Sequence, residues 1–240
     1  MNNTMMVYLN KRMNEQNLKY PSVGKKTGPV ICISREVGCG GVVIARLLAA
    51  ELDKQSLCKK WRMLSKEILK ESARELDMDP NKLRSILKDG DRSMFDDILN
   101  AFSEKRFKSE RKISKTLIDL ITSFANDGYC IIVGRAGHII AQDIKQSLLV
   151  RLTAPLKWRI RQIMEKNNLN LREANEFIEK TEKERHNLRK FIAGDKGIED
   201  EFDLTLNLSR MSIEEAISLI YSAAKTRGMI EASKSKVEVF

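Results

Sequence analysis

Aromatic residues and histidines are scarce in this sequence. Aromatic side chains make up 6% of the 240 residues, and there are two histidines. Proteins that bind single-stranded nucleic acid stack bases on aromatic side chains, so nucleic acid is not expected as a partner. The two histidines, His138 and His186, stand alone in the sequence and are interpreted as non-ligands.

Closely spaced cysteines and long apolar runs are absent as well. The four cysteines have no metal-site spacing, and two of them lie in apolar runs, which favours reduced thiols over a disulfide framework. No run approaches the roughly 18 apolar residues of a membrane helix, and the first residues lack the apolar core of a signal peptide. We therefore expect a cytoplasmic protein with no membrane partner and no metal held by its own side chains.

What the sequence has is positive charge and enough apolar residues for one core. Lysine and arginine number 43 against 33 aspartates and glutamates, a formal charge of +10, and hydrophobic residues make up 42%. The charge favours anionic partners such as nucleotides. The length suits one domain with an inserted piece. Nothing in the sequence indicates an oligomeric state.

Short apolar runs alternate with helical patterns along the chain. Four runs have the continuous apolar character of buried parallel strands: residues 29–34, 129–133, 147–152 and 202–207. Alternation with helices predicts an α/β fold, a parallel sheet covered by helices on both faces. Such sheets bind ligands at the carboxyl ends of their strands.

The same patterns divide the chain into segments. We predict an N-terminal appendage over residues 1–27 and one α/β domain over residues 28–228. A helical insertion is predicted inside this domain, over residues 59–127, and a C-terminal tail over residues 229–240. Residues 170–192 are predicted to form a long charged helix. The closing helix is predicted to begin at Ser212, which has Glu215 in capping-box spacing.

A glycine-rich loop follows the first predicted strand and leads into a helix. Backbone amides of such a loop, together with the positive end of the helix, form a phosphate cradle. The candidate phosphate-binding residues are Ser34, Arg35, Gly38, Cys39, Gly40, Gly41 and Val42. The alternative is a glycine-rich turn without a ligand.

This loop departs from the usual phosphate-loop pattern G-x-x-x-x-G-K-[ST]. With Gly40 as the second glycine, Gly41 occupies the lysine position, and Val42 has no hydroxyl for Mg²⁺. The positive charge that lysine supplies must come from another residue or be missing. Arg35 and Arg46 are the nearest candidates in sequence.

Several motifs resemble those of the cytidylate kinase-like family. They are S-R-E-x-G-x-G-G at residues 34–41, Gly-Arg at 134–135, A-P-L-x-x-R-I at 154–160, and acidic-x-x-acidic-x-x-Arg at 179–185. The resemblance implies a three-layer P-loop NTPase fold of the nucleoside-monophosphate-kinase type, with a parallel sheet, a helical insertion and a lid over residues 157–195. It also implies ATP as phosphoryl donor, Mg²⁺ with it, and CMP or dCMP as acceptor.

The resemblance also implies roles for individual residues. Arg135 would hold the acceptor phosphate, with Ser65 and Arg189 as further substrate-binding residues. Arg159, at the start of the lid, and Arg185 would act on the donor and the transferring phosphoryl group as catalytic residues. A structural ion pair is the alternative for Arg135. Glu179 and Glu182 are better interpreted as part of a salt-bridged surface helix.

Three functions remain open. The arginine set favours a kinase that transfers the γ-phosphoryl group of ATP to a nucleoside monophosphate. The missing lysine, the missing hydroxyl and two missing acidic groups, at Ser65 and Ala136, favour a non-catalytic nucleotide-binding protein. A kinase for another small acceptor is the third possibility.

Overall fold

A computed structural model describes residues 28–55, 60–65, 121–122, 124–194 and 201–230. The predicted N-terminal appendage, nearly all of the predicted helical insertion and residues 231–240 lie outside these ranges. Residue 195, the last residue of the predicted lid, and residues 196–200 lie outside them as well.

The described residues contain one parallel sheet of five strands in the order β2-β3-β1-β4-β5. The strands are β1 (Val30–Arg35), β2 (Arg62–Leu64), β3 (Cys130–Val133), β4 (Ser147–Thr153) and β5 (Leu204–Asn207). All four neighbouring pairs are parallel. The prediction of an α/β fold with a parallel sheet is confirmed.

Five helices have defined ranges in the described part of the chain, and residues 121–122 and 124–127, before β3, are helical as well. The five helices are α1 (Gly41–Gln55), α2 (Gly137–Ala141), α3 (Leu156–Asn167), α4 (Leu171–Ala193) and α5 (Ile213–Thr226). The predicted capping box at Ser212 and Glu215 is present at the start of α5. The long charged helix predicted over 170–192 is α4, which begins after the capping residue Asn170.

The central strand β1 is buried on both faces, as its continuous apolar sequence predicts. Ile31 and Ile33 pack into a core with α1 and α5, where Leu48 and Ile220 are fully buried. Cys32, on the opposite face, packs into a second core. Two helical layers therefore cover the sheet, and the carboxyl ends of all strands meet at one edge.

Strand β2 was not predicted, and it lies within the residues predicted as the helical insertion. Residues 62–64 fall inside the range 59–127 that the sequence assigned to helices, yet Met63 pairs with Ile131 of β3. A three-residue edge strand has no apolar run of its own, and its conformation depends on pairing with β3. Arg62 holds the strand in place by donating to the carbonyl oxygen of Gly128 at 2.9 Å.

The domain also extends beyond the predicted start of the tail. Met229 and Ile230 are 2% and 8% exposed and belong to the core that contains α1 and α5. The amide of Met229 donates to the carbonyl of Ala224 at 3.0 Å and continues the end of α5. Residues 229 and 230, which the sequence analysis places in the tail, therefore pack with the core.

Within the described ranges, no helix combines the length and the apolar composition of a membrane-crossing segment.

Candidate functional site

The turn between β1 and α1, residues 36–40, is called the β1 loop here. Its first residue, Glu36, extends the pairing of β1 with β4 by donating its amide to the carbonyl of Leu152 at 3.0 Å. Gly38 has φ of 97°, and a Cβ there would lie 3.0 Å from the carbonyl oxygen of Arg159. Glycine is needed at this position because the backbone of α3 approaches so closely.

The backbone amides of the β1 loop fall into two groups. Val37 donates to Glu182 Oε1 at 2.7 Å, and Cys39 donates to the carbonyl of Glu36 at 3.3 Å. Among the described residues, no acceptor lies within hydrogen-bond reach of the amides of Gly38 and Gly40. These two amides lie beside the first turn of the 15-residue helix α1, where the predicted phosphate cradle would need its donors.

Three of the predicted phosphate-binding residues turn their side chains inward. Ser34 and Cys39 are 6% and 1% exposed, and Val42 packs against the core. Burial, followed by the nearby carboxylate of Glu36, raises the pKa of the Cys39 thiol to about 12. Their side chains are therefore structural, and only backbone groups of these residues could reach a phosphate.

Arg35, at the end of β1, reaches from the β1 loop to the end of β3. Its side chain packs on Gly41, where a Cβ would lie 3.1 Å from Arg35 Cγ. At its far end, a Cβ on Gly134 would lie 1.8 Å from Arg35 Nη1. The guanidinium thus lies against the Gly-Arg turn. Arg46, the other cation considered for the missing lysine, lies on the exposed face of α1.

The turn after β3, residues 134–136, is called the β3 loop. Gly134, Arg135 and Ala136 have φ of 71°, 54° and 52°. Left-handed backbone at non-glycine residues costs about 1–3 kcal/mol each and concentrates at functional sites. The conformation places Arg135 directly beside the glycine that touches Arg35.

Ser65 lies at the same edge of the sheet. It directly follows β2, whose last residue, Leu64, pairs with Ile132 of β3. Ser65 is fully buried. The predicted substrate-binding residues Ser65 and Arg135 therefore follow adjacent strands.

Arg159 is tied to the β1 loop by several contacts. Its Nε lies 3.4 Å from Glu36 Oε2, and its Nη1 lies 3.4 Å from Glu182 Oε1. The same Nη1 donates to the carbonyl of Val37 at 3.3 Å, and Nε donates to the carbonyl of Ala154 at 3.0 Å. The contact with donor phosphates that the family resemblance implies for Arg159 stays a prediction. These contacts favour a role in shaping the loop.

Helix α4 brings Arg185 onto the loop. Arg185 Nη1 donates to the carbonyl of Arg35 at 2.8 Å. One turn further, Nε of Arg189 is buried and has no hydrogen-bond partner among the described residues. Glu179, one turn before Glu182, is exposed. Arg185 of α4 therefore contacts the residue directly before the β1 loop.

The structure thus gathers most predicted site residues around one edge of the sheet. Arg35, Arg159 and Arg185 contact the β1 loop or its first residues, and Arg135 adjoins Arg35 through Gly134. Sequence reasoning missed Glu36 and Glu182 as residues that contact the loop. The S-R-E motif and the helical spacing contained both residues, but neither pattern indicates which atom a carboxylate accepts from.

Two carboxylates near the β1 loop are potential metal ligands. The two carboxylates there, Glu36 and Glu182, already pair with Arg159. The described residues contain no group of three or more His, Cys, Asp or Glu side chains that could hold a metal ion. The residues of the described site therefore do not fit a Mg²⁺ ion held directly by this chain.

Comparison with known families places these motifs in context. The model of the cytidylate kinase-like family matches residues 30–210, which include the β1 loop, the β3 loop and α4. The chain belongs to the cytidylate kinase-like family. No curated protein matches the chain.

Solved structures resemble this member of the cytidylate kinase-like family in fold. An uncharacterized protein from Eubacterium ventriosum ATCC 27560 is 20% identical, with a TM-score of 0.57 over 84% of this chain and 99% of that chain. Shikimate kinase from Bacteroides thetaiotaomicron is 10% identical, with a TM-score of 0.46 over 82% and 98%. Dephospho-CoA kinase from Campylobacter jejuni is 13% identical, with a TM-score of 0.37 over 84% and 98%. The resemblance to the Eubacterium ventriosum protein shows that the two chains share a fold.

Proposed function

We propose that the chain is a kinase that transfers the γ-phosphoryl group of ATP to a nucleoside monophosphate, with CMP and dCMP as the first acceptors to test. Membership of the cytidylate kinase-like family supports this proposal. The observation that carries it is the placement of Arg35, whose side chain extends from Gly41, directly after the β1 loop, to Gly134 in the β3 loop.

Phosphoryl transfer depends on alignment and on positive charge around the transferred group. In this proposal the amides of Gly38 and Gly40 bind the donor phosphates, and Arg135 binds the acceptor phosphate. Arg35 extends from one loop to the other, so its charge lies between the two phosphates. It supplies there the charge that lysine supplies in the usual phosphate loop.

Arg185 adds a second charge on the same side. Its hydrogen bond to the carbonyl of Arg35 keeps the guanidinium beside the loop. The proposed role of Arg185 is to stabilise charge on the transferring phosphoryl group. Arg189, with a buried Nε that has no partner among the described residues, is proposed to contact the acceptor.

The test is an ADP-release assay with ATP and Mg²⁺ over a panel of acceptors. The panel contains CMP, dCMP, the other nucleoside monophosphates, and small hydroxylated acids. ADP release that requires CMP or dCMP, with the acceptor diphosphate identified by chromatography, is the expected result. ATP binding without turnover on any acceptor would contradict the proposal.

A non-catalytic nucleotide-binding protein is the second candidate. It is favoured by Gly41 and Val42, which stand where a phosphate loop has lysine and a hydroxyl residue. The two candidates differ in one measurement, because both predict ATP binding in calorimetry and only the kinase predicts ADP release. Release of ADP with a hydroxylated acid alone would instead indicate a kinase for another small acceptor.

A further inference from the structure

Val37 in the β1 loop is held by α3 and α4 at its side chain, its amide and its carbonyl. Its amide donates to Glu182 at 2.7 Å, and its carbonyl accepts from Arg159 at 3.3 Å. Its side chain is 3% exposed. It packs in a small apolar cluster of α3 and α4 with Ile160, Ile163, Ala174 and Ile178.

Glu182 is the residue of α4 on which this arrangement depends. Its Oε1 accepts from the amide of Val37 and from Arg159 Nη1, so one oxygen fixes the loop backbone and the guanidinium below it. Val37 precedes Gly38, whose amide is one of the proposed donors to phosphate. The Gly38 amide belongs to the peptide group that joins Val37 to Gly38. The backbone angles of Val37 therefore determine the direction in which this amide points.

Simple electrostatics gives the opposite expectation for this carboxylate. Glu36, Glu182 and Arg159 together carry a net charge of −1 beside a site proposed for a polyanion. A negative charge near a phosphate weakens phosphate binding. A carboxylate at this place can assist binding only through the geometry that it imposes on the loop.

We propose that Glu182 is a positioning residue that sets the β1 loop for the donor phosphates. The proposal rests on the proposed function, since the anion in the loop is taken to be ATP. Arg159 acts with Glu182 as a second positioning residue, because its guanidinium is occupied by two carboxylates and two backbone carbonyls. Helices α3 and α4 then form part of the donor site in the ligand-free protein.

The first measurement is ATP affinity by calorimetry for Glu182→Ala and Glu182→Gln. Loss of the hydrogen bond in Glu182→Ala should weaken ATP binding about tenfold. The glutamine variant keeps an oxygen that accepts from Val37 and should recover most of the affinity. Glu179→Ala is the matched control, because it removes the same charge from an exposed position one turn earlier and should bind as the wild type does.

The direction of the change in ATP affinity shows whether Glu182 acts through the geometry of the loop or through its charge. If Glu182 acts only as a charge, Glu182→Ala removes repulsion and frees Arg159, so ATP should bind more tightly. Tighter or unchanged binding in Glu182→Ala overturns the proposal. Where turnover is measured, KM for ATP should rise while KM for the acceptor stays constant.

A second measurement separates this proposal from the proposed function. Hydrogen exchange of the ligand-free protein should be faster in the β1 loop of Glu182→Ala, with β1 and β4 unchanged and Glu179→Ala like the wild type. If the wild type binds no ATP, the proposed function fails. The exchange result still decides whether Glu182 holds the loop, since equal exchange in all three proteins overturns that conclusion.

Discussion

The β1 loop and the β3 loop meet at the same edge of the sheet but are held in different ways. The β1 loop and the residue before it are held by side chains from distant parts of the chain, because Glu182 is 145 residues from Val37 and Arg185 is 150 residues from Arg35. The β3 loop is shaped by its own backbone, through three consecutive residues with positive φ. The conformation of the β1 loop therefore depends on tertiary contacts, whereas that of the β3 loop depends on the backbone angles of its own residues.

The difference indicates how each loop responds to change. A loop fixed from outside can be altered by substitutions far away in sequence. A loop held by its own backbone responds mainly to substitutions within it. Arg35 directly precedes the β1 loop and its side chain reaches the β3 loop, so its removal should have the largest effect on function.

The first prediction concerns Arg35→Met, which keeps most of the apolar stem and removes the guanidinium. Loss of a charge aimed at the transferring group should lower kcat/KM for phosphoryl transfer about 10²–10³-fold. Steady-state kinetics with ATP and CMP measure the effect. Arg35→Lys should retain part of the activity, because it keeps the positive charge without the planar fork.

Arg161→Met serves as the control for charge removal, since Arg161 is exposed on α3. Its kinetics should match those of the wild type. Equal activity of Arg35→Met and Arg161→Met would contradict the role proposed for Arg35. It would leave the two loops without a shared cation.

The second prediction concerns Gly134→Ala in the β3 loop. The new Cβ would coincide with Arg35 Nη1, a flexible end that can move, so the fold should survive while the guanidinium is displaced. The positive φ at this position adds a cost of about 1–3 kcal/mol. We expect kcat/KM to fall about tenfold or more. Kinetics and urea denaturation measure the two effects.

Gly228→Ala separates backbone strain from displacement of Arg35. Gly228, which follows α5, also has positive φ, at 65°, but no atom lies within 4 Å of a Cβ placed there. Its loss of stability should be similar to that of Gly134→Ala, while Arg35 stays in place. If both variants lose activity equally, displacement of Arg35 is not the cause.

The sequence predicted the local features of the fold and missed those that depend on tertiary contacts. Four strands have apolar runs that identify them without knowledge of their neighbours. Strand β2 has only Arg62–Leu64, and its conformation comes from pairing with β3, so no local pattern indicated it. The buried ends Met229 and Ile230 were missed for a related reason: two apolar residues beside a polar tail are too short a pattern.

The same distinction applies to the site. Glycine spacing predicted the β1 loop, and the Gly-Arg pair predicted the β3 loop. The partners of Arg159 could not be predicted, because Glu36 and Glu182 are brought to it only when α3 and α4 pack on the loop. A motif gives the residue type at a position, whereas its hydrogen-bond partner follows from the fold.

The third prediction concerns Asp203→Ala, far from both loops in its contacts. Asp203 pairs with Arg227 at 2.5 Å and accepts from the amide of Leu149 at 2.7 Å. Its loss leaves a buried amide unpaired and should lower the free energy of unfolding by about 1–3 kcal/mol. Urea denaturation measures it, and kcat/KM should not change.

Asp143→Ala is the control for this change, since Asp143 is exposed and no contact of its side chain is present in the described part of the chain. It should leave both stability and activity unchanged. A fall in activity of Asp203→Ala at a temperature where the variant is folded would show that the β5 edge influences the loops. The conclusion that contacts at the β5 edge act independently of contacts at the two loops would then be wrong.

The smallest expected effect concerns the thiol of Cys39 below the β1 loop. Burial and Glu36 raise its pKa from 9.0 to about 12 in the folded protein. Because the folded pKa lies above the unfolded one, the contribution to stability is complete below pH 9 and decreases as the pH rises toward 12. The difference in unfolding free energy between wild type and Cys39→Ala should be constant up to about pH 9 and shrink above it.

The pH dependence of Cys39 reports the combined effect of burial and of the charges beneath the β1 loop. Burial contributes most to the raised pKa of the thiol, Glu36 and Glu182 raise it further, and Arg159 and Arg185 lower it. Cys130→Ala provides the comparison, since burial raises the pKa of the Cys130 thiol to about 12 in a core that Glu182 and Arg159 do not enter. A constant difference for Cys39 up to pH 11, with the expected decrease for Cys130, would mean that the arginines outweigh the carboxylates. The charge beneath the loop would then favour an anion directly, and geometry would no longer be the only contribution of Glu182 and Arg159.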